Sequence, residues 1–320
     1  MPDVDVGAEV DILLPMFNGA KYLLELLDSL YQQSYENFQL LIRDDASLDN
    51  SCEILKKHNL LSKVGVRIFY NDENIGVVSN VNYLLSDSHA PYIMFADQDD
   101  VWFPNKVSKS LFEIKKAEKK YGSDMPIVVF SDAYVGDEDL VKQSGSLLDR
   151  NGYFGYGSSS VGVLFKHLMV QNVVSGCTMM MNASMKKCLM PIPREAIMHD
   201  WWMMLVASSM GRVIFIPERT MIYRLHQNNT VGLRQSSFFI GLLHVIKKPL
   251  QARQRVRKTY GQAEIFKNRY AKILENNFGE SLDAYISLSG LGFFQRCWVL
   301  WRNKFKKSAL SKTIGLYFLS

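Results

Sequence analysis

The chain has 320 residues, 48% of them hydrophobic and 12% aromatic, enough for one large domain with a real core or a domain plus an appendage. Its 20 glycines and 9 prolines exclude low-complexity and collagen-like chains. The net charge of +5 hides an asymmetry: residues 241–320 carry +11 and residues 1–240 carry −6, so the two parts are expected to meet different partners.

Cys52, Cys177, Cys188 and Cys297 are scattered without a CxxC pair. That usage predicts free thiols in a reducing compartment rather than disulfides or zinc ligands. The first ten residues are acidic and lack an apolar run, so no signal peptide is expected. No stretch reaches about 18 uninterrupted apolar residues, so a spanning helix is not expected either.

Val10-Asp11-Ile12-Leu13-Leu14 predicts a first strand, stopped by Pro15, with Met16 to Gly19 as a turn. Tyr22, Leu23, Leu26, Leu27 and Leu30 then repeat at helical spacing. Phe38 to Arg43 predicts a second strand ending at Asp44-Asp45, after which Ser47 and Asp49 offer helix caps. Val66 to Tyr70 predicts a third strand, Gly76 to Ser86 a helix, and Tyr92 to Ala96 a fourth strand. Strands alternating with helices imply an α/β fold with a mostly parallel sheet flanked by helices. In such sheets ligands bind beyond the carboxyl ends of the strands, where Asp44, Asp45, Asp97 and Asp99 all fall.

Asp97-Gln98-Asp99-Asp100 puts three carboxylates in four positions at the end of an apolar run. They repel one another, so something cationic is expected among them. A divalent metal carrying a phosphorylated substrate would serve. The plainer alternative is an acidic loop capping the next helix.

After Pro104 a charged helix is expected to about Lys120, and then a strand, Ile127 to Ser131, ending at Asp132. Tyr134 to Phe165 reads as irregular, with a Gly/Ser-rich loop from Gly152 to Gly162 that suits a lid or acceptor surface. Asn172 to Met181 reads as a strand. His199-Asp200-Trp201-Trp202 opens an apolar helix, in which Asp200 suits either a general base or a helix cap. Arg212 to Pro217 reads as a strand, and His226 falls in a polar turn as a candidate metal or phosphate contact. GxSxG, the GxxxxGK[ST] loop and GxGxxG after the first strand are all missing, which disfavours serine hydrolase and P-loop chemistry.

In this order, Ile12 to Gly19, Arg43 to Asp49, Asn74-Ile75-Gly76 with Asn80, and Asp97 to Trp102 resemble a family 2 glycosyltransferase of the GT-A (Rossmann-like) fold. The likeness covers about residues 8–232. The segments Ser175 to Thr178, His199 to Trp202 and Tyr223 to His226 are similar to the bacterial rhamnosyltransferase-like branch, which builds capsule, O-antigen and cell-wall polysaccharides.

The resemblance implies an inverting transfer from a nucleotide sugar, dTDP-rhamnose first and a UDP-sugar second, to a growing glycan, lipid-linked in this reading. It implies donor binding by Pro15, Phe17, Asn18, Asp45, Asn80 and Asp97, with Asp45 meeting the base. Mn2+ or Mg2+ would be held by Asp99, Asp97 and His226, Asp99 being the more direct ligand. Asp200 would be the catalytic base, with Gly176, Cys177, His199 and Trp201 towards the acceptor. One departure stands out: many relatives have a glycine where this chain has Ala46, which questions the tight turn there rather than the binding acid.

The domain division expected is 1–232 catalytic and 233–320 a basic helical region. The Trp and Phe residues of Gly292 to Trp301, with Arg302, Lys304, Lys306 and Lys307 behind them, fit an interfacial helix on an anionic membrane surface. Packing on the catalytic domain or on a second subunit is the alternative, and nucleic acid is not expected as a partner, since no binding motif is present. A sugar nucleotidyltransferase and a non-catalytic nucleotide-sugar-binding subunit are the rival functions.

Overall fold

The computed structural model describes residues 7–153, 161–227, 229, 249–274, 278–307, 313 and 316–317. Most of the Gly/Ser-rich loop and the expected 232/233 boundary lie outside the described residues.

The amino-terminal half alternates as expected. Strands β1 (Val10–Met16), β2 (Phe38–Asp44), β3 (Gly65–Tyr70) and β4 (Tyr92–Phe95) are separated by helices α1 (Leu23–Tyr31), α2 (Ser51–Lys57), α3 (Leu60–Lys63) and α4 (Val77–Asp87). These four strands pair in parallel in the order β3-β2-β1-β4. β1 is buried along nearly its whole length, as a strand covered on both faces must be.

Beyond β4 come β5 (Val101–Trp102), α5 (Lys106–Tyr121), β6 (Ile127–Gly136), β7 (Lys142–Ser146), α6 (Leu147–Asn151), α7 (Val161–Val170), β8 (Met179–Asn182), α8 (Ala183–Leu189), α9 (His199–Met210) and β9 (Arg212–Arg224). The sheet continues β4-β8-β6-β9-β5, with β7 beside β6, and mixes parallel and antiparallel pairs.

Three expectations need correction here. β6 does not stop at Asp132 but runs to Gly136, because it pairs in parallel with a β9 that continues past Pro217 to Arg224. Two register shifts absorb the mismatch between them. The stretch expected to be irregular after Tyr134 instead holds β7, α6 and α7. The strand expected from Asn172 starts only at Met179, since Gly176–Thr178 forms a 3-10 turn.

Side chains alternate between two cores. Ile12, Leu14 and Met16 of β1 join Leu26 and Leu30 of α1 and Ile114 of α5 on one face. Leu13 joins Leu84 of α4, Phe165 of α7 and Trp202 of α9 on the other. The carboxy-terminal helices α10 (Pro249–Leu274), α11 (Gly279–Ser287) and α12 (Phe293–Arg302) add to this second core. Phe266 of α10 packs on Trp202 with ring centroids 5.2 Å apart and on Phe165 at 5.8 Å. All four cysteines are free thiols.

Candidate active site

The carboxyl ends of β1, β2 and β4 carry the loops of the site. The backbone N–H of Asp45 donates to the Met16 carbonyl at 2.8 Å, tying the end of β2 to β1. Phe17 to Ala20 is then pinned residue by residue. The Phe17 N–H donates to Gln98 Oε1 at 2.9 Å while Gln98 Nε2 donates back to the Phe17 carbonyl at 2.8 Å. The N–H groups of Asn18, Gly19 and Ala20 donate to Ser47, Ser51 and Asp49. At Gly19 a Cβ would come 2.5 Å from Gln98 Oε1, so a larger residue there would have to displace the Gln98 amide from Phe17.

Asp45 is 3% exposed. Its Oδ1 accepts from Asn71 Nδ2 at 2.8 Å and Ile75 N at 2.9 Å, and its Oδ2 accepts from Gly76 N at 3.0 Å. A carboxylate has about four acceptor positions, so one direction remains for a ligand N–H. Asn80 is buried behind it, donating to the Arg43 carbonyl and accepting from Asn71 at 3.4 Å. Asp44 Oδ2 accepts from Ser47 N at 3.1 Å, which closes the turn after β2 ahead of α2. Ala46 adopts φ 60°, the left-handed region that costs an L-residue energy.

The acid loop is braced from the far end of the chain. His226 Nε2 lies 2.7 Å from Asp99 Oδ2, and the His226 ring lies 4.9 Å from that of Tyr22. Arg224, 1% exposed, donates through its backbone N–H to Asp100 Oδ1 at 3.1 Å and through Nε to the Asp99 carbonyl at 2.8 Å. Its guanidinium also pairs with Glu25 at 2.5 Å. Burial, with Asp99 beside it, pushes the Asp97 carboxyl up to about 7. Burial and the same neighbours push Asp100 well above the usual range too.

A buried lysine lies close enough to these acids to feel their charge. Lys106, in the first turn of α5, is 0% exposed; its Nζ lies 4.7 Å over the Trp102 ring and 3.4 Å from Thr220 Oγ1. Burial lowers its pKa to about 8, while Cys177, Asp100 and Asp97 pull the other way.

Asp200 opens α9. Its Oδ2 accepts from Gly176 N at 3.1 Å and its Oδ1 from Trp201 N at 2.6 Å, which fixes the carboxylate. The Gly176–Thr178 turn carries Cys177 from there to the acid loop, where ligand atoms of Cys177, Asp97 and Asp100 lie within 4.8 Å of one another. Gly176, Cys177, His199 and Trp201 are all buried. The Trp201 indole N–H donates to the Leu168 carbonyl, and the His199 ring packs on Phe95 at 5.4 Å. A Cβ at Gly176 would meet His199 Nε2 at 2.9 Å. These four residues shape the wall that holds Asp200, and the side chains of Cys177, His199 and Trp201 are buried in it.

Sequence reading missed Gln98, Asn71, Lys106 and Arg224 as site-building residues. Lys106 left one signal, a lysine in a first helical turn, where the helix dipole disfavours positive charge. Arg224 was visible only as part of the Tyr223 to His226 segment, and its bracing role depends on how β9 pairs.

The family profile described as Glycosyl transferase family 2 matches residues 11–144, which include β1 to β4, the Asp45 cradle and the acid loop. The chain carries a family 2 glycosyltransferase domain. This glycosyltransferase domain is 31% identical over 140 residues to an uncharacterized glycosyltransferase of Rickettsia felis, covering 43% of the chain and 21% of that relative. The chain therefore spans only a fifth of that protein's length. It is 26% identical over 229 residues to the dTDP-rhamnosyl transferase RfbG of Shigella flexneri, covering 68% of the chain and 72% of the relative. The fold is the GT-A fold, shared with a mannosyltransferase from Pyrobaculum calidifontis solved with GDP-Man and Mn2+. That likeness has a TM-score of 0.54 at 13% identity, over 98% of the chain and 80% of the neighbour.

Mn2+ or Mg2+ takes mainly oxygen ligands, often with substrate phosphates completing the shell. Asp99 and Asp97 offer carboxylate oxygens to such an ion, and the His226 ring nitrogen lies against Asp99. Asp100 Oδ2 is buried without a hydrogen-bond partner among the described residues, so the loop holds an oxygen that its own donors do not satisfy. These residues fit a divalent cation.

Proposed function

We propose that the chain is an inverting, metal-dependent glycosyltransferase that moves a sugar from a nucleotide-sugar donor to a growing, lipid-linked bacterial surface polysaccharide. The observation that carries this reading is the pairing of the cradled Asp45 and the His226-braced Asp99 at strand ends of the stretch matched by the family 2 profile, with Asp200 fixed at the start of α9 near Asp97. dTDP-rhamnose is the first donor candidate, supported by the similarity to the Shigella flexneri rhamnosyl transferase, and a UDP-sugar is the second.

In this reading Asp45 uses its remaining acceptor direction for an N–H of the donor base. Pro15, Phe17 and Asn18 line the nucleotide, and Asn80 acts through Asn71 to keep Asp45 in place. Asp97 and Asp99 face the ribose and diphosphate. Bound Mn2+ or Mg2+ supplies positive charge to the diphosphate. Asp200 takes the proton from an acceptor hydroxyl as that oxygen bonds to the anomeric carbon. The bond from that carbon to the diphosphate oxygen breaks on the opposite side, its electron pair leaves with the nucleoside diphosphate, and configuration inverts. The basic carboxy-terminal region, which includes the helices α10, α11 and α12, brings the enzyme to the inner face of the cell membrane, where a lipid-linked acceptor resides.

The test is transfer or donor hydrolysis with Mn2+ or Mg2+, comparing wild type with Asp99→Ala and Asp200→Asn. Both variants should lose turnover. Unchanged turnover in both would sink these roles, and nucleotide binding without turnover on any acceptor would favour a non-catalytic subunit. A thermal-shift screen separates the donors, since a ligand that binds only the folded chain raises its apparent stability.

A further inference from the structure

We propose that the outward face of α12, built from Phe294, Trp298 and Trp301, is the surface by which the chain lies on an anionic lipid leaflet. This deepens the membrane part of the reading above. The three residues are spaced i, i+4 and i+7, which places them on one side of a helix. They are 85%, 54% and 72% exposed. On the other side Leu300 is fully buried in the core, joined by Phe305 just beyond the helix. The core therefore sets the rotation of α12, and the aromatic side is held outward.

Three large aromatics grouped in water form an apolar patch of the kind that marks an interaction surface. Tryptophan in particular suits the boundary between headgroups and acyl chains, having an apolar body and one N–H. The charge around the patch selects the partner. The Arg302 guanidinium lies 4.8 Å over the Trp298 ring, and Lys304 and Lys306 are exposed behind it. The chain has no Asp or Glu after Asp283, so nothing acidic in this segment offsets those cations. An anionic leaflet complements such a rim, each basic residue near the surface adding to the attraction. A second copy of the same face would bring like charges together, which disfavours self-association through it.

The helix has 10 residues and so rises about 15 Å, half of a bilayer core, which means it lies in the interfacial plane rather than crossing it. No described helix is long and apolar enough to cross a membrane.

The experiment uses the full chain and needs no sugar donor. Co-sedimentation is measured with phosphatidylcholine vesicles, with and without phosphatidylglycerol, at low and high salt. Wild type should bind the phosphatidylglycerol vesicles and lose much of that binding in high salt. The variant Phe294→Ser/Trp298→Ser/Trp301→Ser should bind them at least about tenfold more weakly, since interfacial binding scales with buried apolar area. Its nucleotide thermal shift and its transfer to a soluble acceptor should match wild type. Absence of binding to anionic vesicles, equal binding by the triple variant, or a concentration-dependent dimer abolished by the triple variant would each overturn the proposal. Vesicle binding lost in the triple variant upholds the surface even where no acceptor is glycosylated, an outcome that counts against the transfer reading alone.

Discussion

His226 Nε2 lies 2.7 Å from the Asp99 carboxylate, joining the segment after β9 to the acid loop after β4 across 127 residues of sequence. Whether the imidazole ligates a metal or holds Asp99 for one, its loss should loosen the site. His226→Ala should raise the Mn2+ concentration for half-maximal activity by about 10–100-fold, the usual effect of removing such a support. A Mn2+ titration of initial rates checks this, and an unshifted curve refutes it. Removing metal with a chelator should abolish transfer in wild type.

Asp200 is fixed by two backbone N–H groups, from Gly176 and Trp201; an amide keeps only one acceptor oxygen, so one of these bonds survives and the Asp45 cradle is untouched. Asp200→Asn should therefore keep donor binding and lower kcat by about 100- to 10,000-fold, the range expected for losing a general base. Steady-state kinetics with a thermal shift against the nucleoside diphosphate separates the two effects. A large rise in donor KM with unchanged kcat would contradict the assignment.

Ala46 stands at φ 60° beside the Asp45 cradle. The left-handed region costs an L-residue about 1–2 kcal/mol, and glycine returns part of that through its freer unfolded chain. Ala46→Gly should stabilise the fold by roughly 0.5–1 kcal/mol in urea unfolding. Destabilisation would mean that the turn gains more from the methyl group than it loses in strain.

Lys106 is a buried lysine near the acid cluster, its Nζ against Thr220 and the Trp102 ring. Lys106→Met should cost roughly 1–3 kcal/mol, because it removes the contact with Thr220 and a buried positive charge that acts on Asp97 and Asp100. Adding Asp100→Asn should restore part of the loss, and a double-mutant cycle from chemical denaturation measures the coupling. Strict additivity of the two substitutions would show that the groups do not interact.

His167 on α7 has its pKa lowered to about 4 by burial, with Lys306 adding to the effect. Between about 6.5 and about 4 the unfolded chain takes up a proton that the folded chain refuses, so stability falls as pH drops through that window and levels off below it. The contribution is on the order of 3 kcal/mol. His167→Leu should flatten this limb when unfolding free energies at pH 7 and pH 4.5 are compared. An equally steep decline in the variant would place the acid sensitivity elsewhere.

The elements of the amino-terminal half were legible because their cause is local. A strand buried on both faces must be a short continuous apolar run, as β1 is, and a helix on a sheet must repeat its leucines at helical spacing, as α1 does. The strand-end position of Asp45, Asp97 and Asp99 followed from those boundaries alone. Ala46 was visible as an odd residue in a tight turn, and its positive φ is the physical counterpart.

Tertiary structure decided the rest, because it depends on pairing between distant segments. β6 outran Asp132 only because β9 was there to pair with it, and β9 in turn delivered Arg224 and His226 to the acid loop. The sequence by itself determined that three clustered carboxylates needed a positive partner. Only the fold decided that a buried lysine from α5 and an arginine at the end of β9 answer part of that need, since burial and a neighbour's charge are properties of the packed chain.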